Sequence, residues 1–337
     1  MLTYYLGAGA SANTMPLVKS FFSDSFSDYI KEQLFQNSLK KTIEINSDAN
    51  EFYKKCLNLL VDSKKYWSID TMAKVNRNNQ LDSLLLKRLM TAYLLNHEFA
   101  EGIDNRYILL LQSLIEKRKE YYYVRNSVNF VSWNYDIQIE RSVLNPVNGV
   151  GYIELSKALS VNEFKENYAF NLFKLNGSIF DFSDIYEHDY GALENHFMSG
   201  KIDYPKILEV VKGTRLIKNN TGIKFAWESE PEKNQVIANA IQAISRTTKL
   251  VIVGYSFPDF NADVDHLILS HLSKGTQIYI QCSNNERNIN ETVQQRVIEH
   301  TPNHISRADI HLIPTADRFF KPYVQEERIR LDLAAPF

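Results

Sequence analysis

The sequence predicts an α/β protein built on a parallel sheet, and three observations support this fold class. A short apolar run, Leu2–Leu6, ends in the glycine turn Gly7–Ser11, a pattern typical of a buried strand that enters a tight turn. Lys249–Val253 is almost continuously apolar, as expected for a strand covered on both faces. Through the C-terminal third, such runs alternate with helical periodicity, and this alternation favours a parallel sheet.

The other elements follow from the same patterns along the chain. After the first strand, Pro16 fits the first turn of a helix whose apolar positions continue at helical spacing to Leu34. Further strands are predicted at Val128–Trp133, Asn171–Leu175, Thr276–Gln281 and Ile310–Ile313. Helices are predicted at Lys233–Arg246, Ala262–Leu272 and Glu286–His300.

One stretch, from about Asn50 to Tyr123, has a different character. It contains a single glycine, Gly102, and no proline, and its leucines and isoleucines recur at helical spacing. We therefore predict a sheet domain formed by 1–49 and 124–337, interrupted by an inserted helical module at 50–123. The segment from Phe182 to Trp227 has weak periodicity, which predicts an irregular region near the ligand-binding edge.

Composition excludes several classes of protein. The 337 residues carry 38 Lys and Arg against 40 Asp and Glu, a net charge of −2, which disfavours a protein whose main task is wrapping nucleic acid. Two cysteines, Cys56 and Cys282, cannot build a disulfide framework or a four-cysteine zinc site. The N-terminus lacks the basic leading region of a signal peptide, and no apolar window reaches the ~18 to 20 residues that span a bilayer. A cytoplasmic protein with no membrane partner is expected.

Five short motifs each come directly after a predicted strand. The carboxyl ends of parallel strands form the edge where open α/β sheets bind ligands, so their shared position predicts a nucleotide site. The five motifs are Gly7–Ser11, Ser132–Asp136, Lys174–Ser178, Gly254–Asn261 and Gln281–Glu286.

Each motif has a chemical and a purely structural interpretation. Glycines let the backbone approach a pyrophosphate, but a glycine turn also simply joins a strand to a helix. The Asn134 carboxamide can orient a water or a ribose hydroxyl and the Asp136 carboxylate can accept from an amide, but both residue types also cap helices. Asn176-Gly177 is a common turn dipeptide. Gly254 and Ser256 suit the approach of a ribose.

A basic cluster, Lys117–Lys119, precedes three tyrosines, Tyr121–Tyr123. Such residues can contact nucleic acid by charge and stacking. Because the net charge is balanced, we favour the simpler interpretation, the end of a helix that leads into a strand.

Taken in this order, the five motifs resemble those of the sirtuin superfamily, in particular the sirtuin-like NAD hydrolases of bacterial antiphage defence. Gly7-Ala8-Gly9-Ala10-Ser11 matches the family's phosphate-binding turn, Asn134-Tyr135-Asp136 its Asn-x-Asp motif and Gly254-Tyr255-Ser256 its ribose segment. The resemblance implies a Rossmann-like fold with Asn134 in catalysis and Asp136 at the nicotinamide end. It assigns the remaining nucleotide contacts to Gly7, Ala8, Gly9, Ser11, Gly254, Ser256, Ser283 and Asn284.

Two departures from the family matter for the chemistry. Asn176 stands where the family has a histidine, and an asparagine cannot accept a proton, so base catalysis from this position is lost. Asn176 is kept as a third candidate catalytic residue, with positioning and electrostatics replacing the base. The missing zinc ribbon excludes the protein deacylase activity of other sirtuins.

The resemblance implies a defence effector of the abortive-infection type that hydrolyses NAD to nicotinamide and ADP-ribose when triggered. NAD is then the substrate and no metal is needed. A homo-oligomer and a trigger-sensing partner such as a HerA-like ATPase are expected, with nucleic acid reached only through that partner. The alternative is a non-catalytic subunit that senses or scaffolds around NAD, ADP-ribose or another nucleotide.

Overall fold

A computed structural model provides the structure of the chain. It describes residues 1–17, 26, 28–29, 54–56, 58–59, 69–75, 80–119, 121–125, 127–143, 158–179, 222–228, 230–281, 287–315, 317–324 and 328–331. Most of the predicted helix from Pro16 to Leu34 and most of the predicted irregular segment lie outside these residues.

The described part of the chain contains ten strands and seven α-helices. The strands are β1 Leu2–Leu6, β2 Ile115–Arg118, β3 Tyr121–Arg125, β4 Val128–Ser132, β5 Leu159–Val161, β6 Phe170–Lys174, β7 Lys249–Val253, β8 Gln277–Gln281, β9 Ile310–Ile313 and β10 Arg328–Leu331. The helices are α1 Ile69–Val75, α2 Gln80–Glu101, α3 Asn105–Leu114, α4 Gln138–Val143, α5 Gln235–Ser245, α6 Ala262–Leu269 and α7 Arg287–His300.

Seven strands form one sheet in the order β5-β6-β4-β1-β7-β8-β9, and every pairing in it is parallel. All residues of β1, β4 and β6 are buried, which explains their apolar runs. The predicted α/β class with a Rossmann-like sheet is therefore confirmed. β1, β7 and β9 have the predicted bounds, and the ends of α5 and α7 lie within two residues of the prediction.

The direction of the chain across the sheet reverses at β1. From β1 the chain adds β4, β5 and β6 on one side, and it later crosses back to place β7, β8 and β9 on the other side. The loops after β1 and β7 therefore lie at the topological switch point, where sheets of this kind form their ligand crevice.

A second, antiparallel sheet corrects one prediction. Ile115–Arg118 was expected to continue a helix, but it forms β2, which pairs with β3, and β10 adds to the other side of β3. Helix α3 ends at Leu114 because Ile115 takes an extended conformation. Lys119, with a φ of 55°, turns the chain back between β2 and β3.

The chain divides into two compact units. The first combines Met1–Ser11, Ile103–Asn176 and Glu228–Phe337 and contains both sheets. The second combines Ala12–Gly102 with Gly177–Trp227. The first unit includes α3, whose residues Arg106 and Tyr107 contact Ala10 and Ser11 in the loop after β1. The inserted helical module at 50–123 stays a prediction.

The second unit is built around helix α2. Tyr93 of this helix packs its ring against Phe26 at 4.7 Å and Tyr29 at 5.3 Å between centroids. The Tyr29 hydroxyl donates to the carbonyl of Ala92. Lys87 lies over the ring of Phe225, so the two chain segments of this unit pack on one helix.

Candidate functional site

The sheet brings the five motifs to one edge and in one register. Lys174 pairs with Ser132, Ser132 with Leu6, Leu6 with Val253, and Val253 with Gln281. These residues form one row across five strands, and each motif departs from this row. The candidate residues are far apart in sequence, but they lie close together because the strands that precede them end in the same row.

The loops after β1 and β7 pack backbone against backbone. Gly7 N donates to Val253 O at 3.1 Å, and Gly9 N donates to Gly254 O at 2.9 Å. A Cβ at Gly9 would lie 2.8 Å from Gly254 Cα, and one at Gly7 would lie 2.6 Å from Gly254 O. The glycines are thus required for the contact between the two loops, while their predicted role at a pyrophosphate stays a prediction.

Asn134 links the motif after β4 to the glycine turn. Its Nδ2 donates to Gly7 O at 3.0 Å and to Ser11 Oγ at 3.3 Å, and its backbone N–H donates to Ser132 Oγ. The side chain is buried, and its Oδ1 accepts no hydrogen bond within the described part of the chain. Asn134 therefore does not act as the helix cap that was one interpretation of its motif. Its geometry holds a hydrogen-bond acceptor beside the glycine turn.

Helix α3 supports the glycine turn from outside the motifs. The Tyr107 hydroxyl lies 2.9 Å from Ser11 Oγ, and Arg106 Nη2 donates to Ala10 O at 2.9 Å. Arg106 is held by Asp104, which also caps α3. Burial and the nearby carboxylate of Asp136 raise the pKa of Tyr107 well above its ordinary value, so its hydroxyl stays protonated.

Asp136 contacts the start of α4 from two residues upstream. Its Oδ1 accepts from the backbone N–H of Gln138, the first residue of α4, at 3.3 Å. The carboxylate is buried, and its charge acts on both Tyr107 and Glu140. A contact with a nicotinamide amide stays a prediction.

A buried lysine and a buried glutamate lie behind Asp136. Lys174, the last residue of β6, donates from Nζ to the backbone carbonyl of Asp136, and Nζ lies 3.8 Å from Glu140 Oε1. Burial raises the pKa of Glu140 to about 7, although the charge of Lys174 opposes this shift. Lys174 thus fixes the Asn134–Asp136 loop to β6.

Glu140→Gln is expected to remove a pH-dependent cost to stability. The folded-state pKa of about 7 lies above the ordinary 4.5, so the folded protein keeps a proton that the unfolded chain releases. Between these pH values the wild-type free energy of unfolding falls as the pH rises, by about 3 kcal/mol from this group. Urea unfolding at several pH values checks this. The free energy of unfolding of Glu140→Gln should rise relative to that of wild type by about 3 kcal/mol between about pH 4.5 and pH 8.

The exposed Glu291 on α7 supplies the control for this measurement. Glu291→Gln should follow the wild-type curve across the same range, because its carboxyl is in contact with water in both states. If the free energy of unfolding changed with pH in the same way for wild type and Glu140→Gln, burial of Glu140 would not destabilise the folded protein.

Asn176 lies in the turn after β6. Leu175 N donates to Ser132 O at 2.9 Å, which extends the pairing of β4 and β6 by one residue. Asn134 lies two residues after Ser132, and Asn176 lies two residues after Lys174, so both lie two residues beyond the paired row. Asn176 Oδ1 is buried and, like Asn134 Oδ1, accepts no hydrogen bond from the described residues. Two buried carboxamide oxygens therefore occur at neighbouring strand ends.

A buried carboxyl on α6 ties together the loops that flank the site. Asp265 accepts hydrogen bonds from the Tyr5 hydroxyl, from Trp133 Nε1 at 3.1 Å and from the Tyr255 hydroxyl at 2.7 Å. Burial raises the pKa of Asp265 to about 7, and the three donors oppose this shift. Trp133 immediately precedes Asn134, and Tyr255 immediately follows Gly254. This hydrogen-bond network therefore fixes both loops.

The outer predicted residues are only partly described. Gly254 and Ser256 are exposed, and Ala8 and Gly9 are half-buried, so a ligand can reach them. The carbonyl of Ser256 accepts from Arg296 Nη1 at 2.8 Å. Ser283 and Asn284 lie outside the described residues.

Sequence reasoning missed the residues that support the site loops, namely Asp104, Arg106, Tyr107, Glu140 and Asp265, and it included Lys174 only as the first residue of a motif. One signal was present for Lys174, because a lysine ends an otherwise apolar strand directly before a turn. The helical residues have no local signal, since their roles depend on contacts with distant loops.

No protein family matches the chain, and no curated protein matches it. Within the described residues, no three His, Cys, Asp or Glu side chains cluster as a metal site would require. In the same residues, no helix is long and apolar enough to cross a membrane.

Proposed function

We propose that the chain binds NAD at the switch point of the large sheet and hydrolyses it to nicotinamide and ADP-ribose. One observation carries the proposal: the carboxamide oxygens of Asn134 and Asn176 are buried, have no donor among the described residues and follow neighbouring strands. Burying such an acceptor without a partner costs about 1 to 3 kcal/mol, which a ligand or water donor would recover. The motifs that resemble those of sirtuin-like NAD hydrolases support the choice of ligand.

In the proposed reaction, water attacks C1′ of the nicotinamide ribose. A bond forms between the water oxygen and C1′, while the C1′–N bond breaks and its electron pair neutralises the nicotinamide nitrogen. The proton lost by the water goes to solvent. Asn134 Oδ1 accepts a hydrogen bond from the water or a ribose hydroxyl, and the Asp136 carboxylate stabilises the oxocarbenium-like transition state.

This chemistry proceeds without a base at position 176. The Asn176 carboxamide can accept a hydrogen bond but not a proton, so it acts by orientation alone. Nicotinamide is a good leaving group, and therefore positioning and charge can supply most of the acceleration. A slow enzyme is expected.

The biological setting is proposed from the resemblance alone. The activity would belong to a triggered defence effector, held inactive until a partner such as a HerA-like ATPase or another sensor acts on a homo-oligomer. NAD depletion would then stop growth of the infected cell.

A non-catalytic nucleotide sensor is the second candidate, and the same Asn176 favours it. A carboxamide at this position keeps a hydrogen bond to a bound ribose while removing the proton acceptor. Such a subunit would bind NAD or ADP-ribose and leave it intact.

One experiment separates the two candidates. The protein, alone and with the product of its neighbouring gene, is incubated with NAD, and free nicotinamide is measured by mass spectrometry alongside calorimetric binding. Nicotinamide release above that of NAD alone supports the hydrolase. Binding without release supports the sensor, and the absence of both refutes the nucleotide site.

A further inference from the structure

We infer that Arg296 of helix α7 is a positioning residue, which holds the loop after β7 so that the Ser256 hydroxyl can bond a ribose hydroxyl of the nucleotide. This role rests on the proposed function, but it applies equally to a hydrolase and to a sensor, because both must bind the ligand. Arg296 follows all five motifs in the chain and belongs to none of them.

The loop after β7 alternates between buried and exposed side chains. Tyr255 and Phe257 are buried, whereas Ser256 between them is exposed. Among the residues that the structure describes, none forms a hydrogen bond with Ser256 Oγ. A hydroxyl can both donate and accept, so this side chain has unused hydrogen-bonding capacity. The loop thus presents a polar group to solvent at the edge of the sheet where the five motifs begin.

The backbone on both sides of Ser256 has an uncommon conformation. Phe257 has a φ of 52°, in the left-handed region that residues other than glycine rarely adopt, and Gly254 has a φ of 60°. The Phe257 ring stabilises this arrangement by stacking on Tyr5 at 6.0 Å and on His300 at 5.7 Å between centroids. Packing therefore holds the loop in a conformation that its own sequence disfavours, which is a feature of ligand-binding segments.

Arg296 contacts the backbone of this loop directly. Its Nη1 donates to Ser256 O at 2.8 Å and to Phe257 O at 3.1 Å, and its Nη2 lies 3.8 Å from Asp259 Oδ1. Hydrogen bonds from a charged donor are stronger than those between neutral groups, and a guanidinium keeps its charge throughout the pH range of proteins. Without this side chain, the backbone at Phe257 can relax toward a more favourable φ, which would move the Ser256 hydroxyl.

A double-mutant cycle of Arg296→Met and Ser256→Ala tests this role, with calorimetric binding of NAD and ADP-ribose as the measurement. Each single variant should raise Kd about tenfold, the effect of one lost hydrogen bond to the ligand. Because both substitutions remove the same contact, the double variant should also lose about tenfold rather than about 100-fold. Arg296→Lys keeps a charged donor and should recover most of the affinity. In turnover of NAD, the loss should appear in KM with kcat unchanged.

Lys321→Met is the matched control, because Lys321 Nζ also donates to a backbone carbonyl of the same unit, that of Ser113 at 2.6 Å. It should bind both nucleotides as wild type does. Additive losses in the cycle would overturn the inference, since Arg296 would then support the fold without acting through Ser256. Wild-type affinity in Arg296→Met would overturn it as well. If wild type itself binds neither nucleotide, the proposed function fails before any variant is compared, and the role of Arg296 fails with it.

Discussion

Replacement of Asn134 by alanine should lower the rate of nicotinamide release about 100- to 1,000-fold, the range found when one preorganised polar group is removed from an active site. The substitution removes Oδ1, the acceptor that we assign to the water or ribose hydroxyl. It also removes the two hydrogen bonds that Nδ2 donates to Gly7 O and Ser11 Oγ. The effect is therefore expected mainly in kcat, with a smaller rise in KM.

Asn239→Ala is the matched control for this substitution. Asn239 on α5 is also buried, and its Nδ2 also donates to a loop carbonyl, that of Asn162 at 2.8 Å. Both variants should lose similar stability, but only Asn134→Ala should lose turnover per folded molecule. Equal turnover in the two variants would remove Asn134 from the mechanism. In a pure sensor, Asn134→Ala would change affinity alone.

The large sheet was predictable because its strands are covered on both faces. Burial of every residue in β1 demands a continuous apolar run, and Lys249–Val253 shows the same pattern with only its first residue half-buried. Glycines mark the ends of β1 and β7, so the prediction included their lengths. A strong local pattern thus sufficed for these elements.

The small sheet was not predictable from local patterns. Ile108, Leu111, Leu114 and Ile115 recur at helical spacing, yet the helix stops at Leu114 and Ile115 begins a strand. The turn at Lys119 has a positive φ without a glycine to announce it. Strand β10 is about two hundred residues away in sequence, and such a pairing leaves no trace in a local window.

The candidate site was predictable only where it follows the strands. Asn134 and the glycine turn come directly after β4 and β1, so topology alone places them together. Arg106, Tyr107 and Asp265 come from helices whose orientation is decided by packing. Their contacts with Ala10, Ser11 and Trp133 therefore could not be predicted from local sequence patterns.

Gly254→Ala should lower the free energy of unfolding by about 2 to 5 kcal/mol. Gly254 has a φ of +60°, and its added Cβ would lie 2.2 Å from Ala10 N and 2.6 Å from Gly9 Cα. The left-handed backbone accounts for about 1 to 2 kcal/mol. The clash involves backbone rather than a flexible side chain, so the two loops must separate, at a further cost of about 1 to 3 kcal/mol.

Gly275→Ala separates the two contributions. Gly275 has a φ of +86°, but nothing lies within 4 Å of its added Cβ, so its substitution should cost only about 1 to 2 kcal/mol. The difference between the variants in urea unfolding then measures the contact between the loops after β1 and β7. Equal losses would mean that these loops can part without cost. In that case the glycines at the switch point would need another explanation, and close approach to a ligand would become the stronger one.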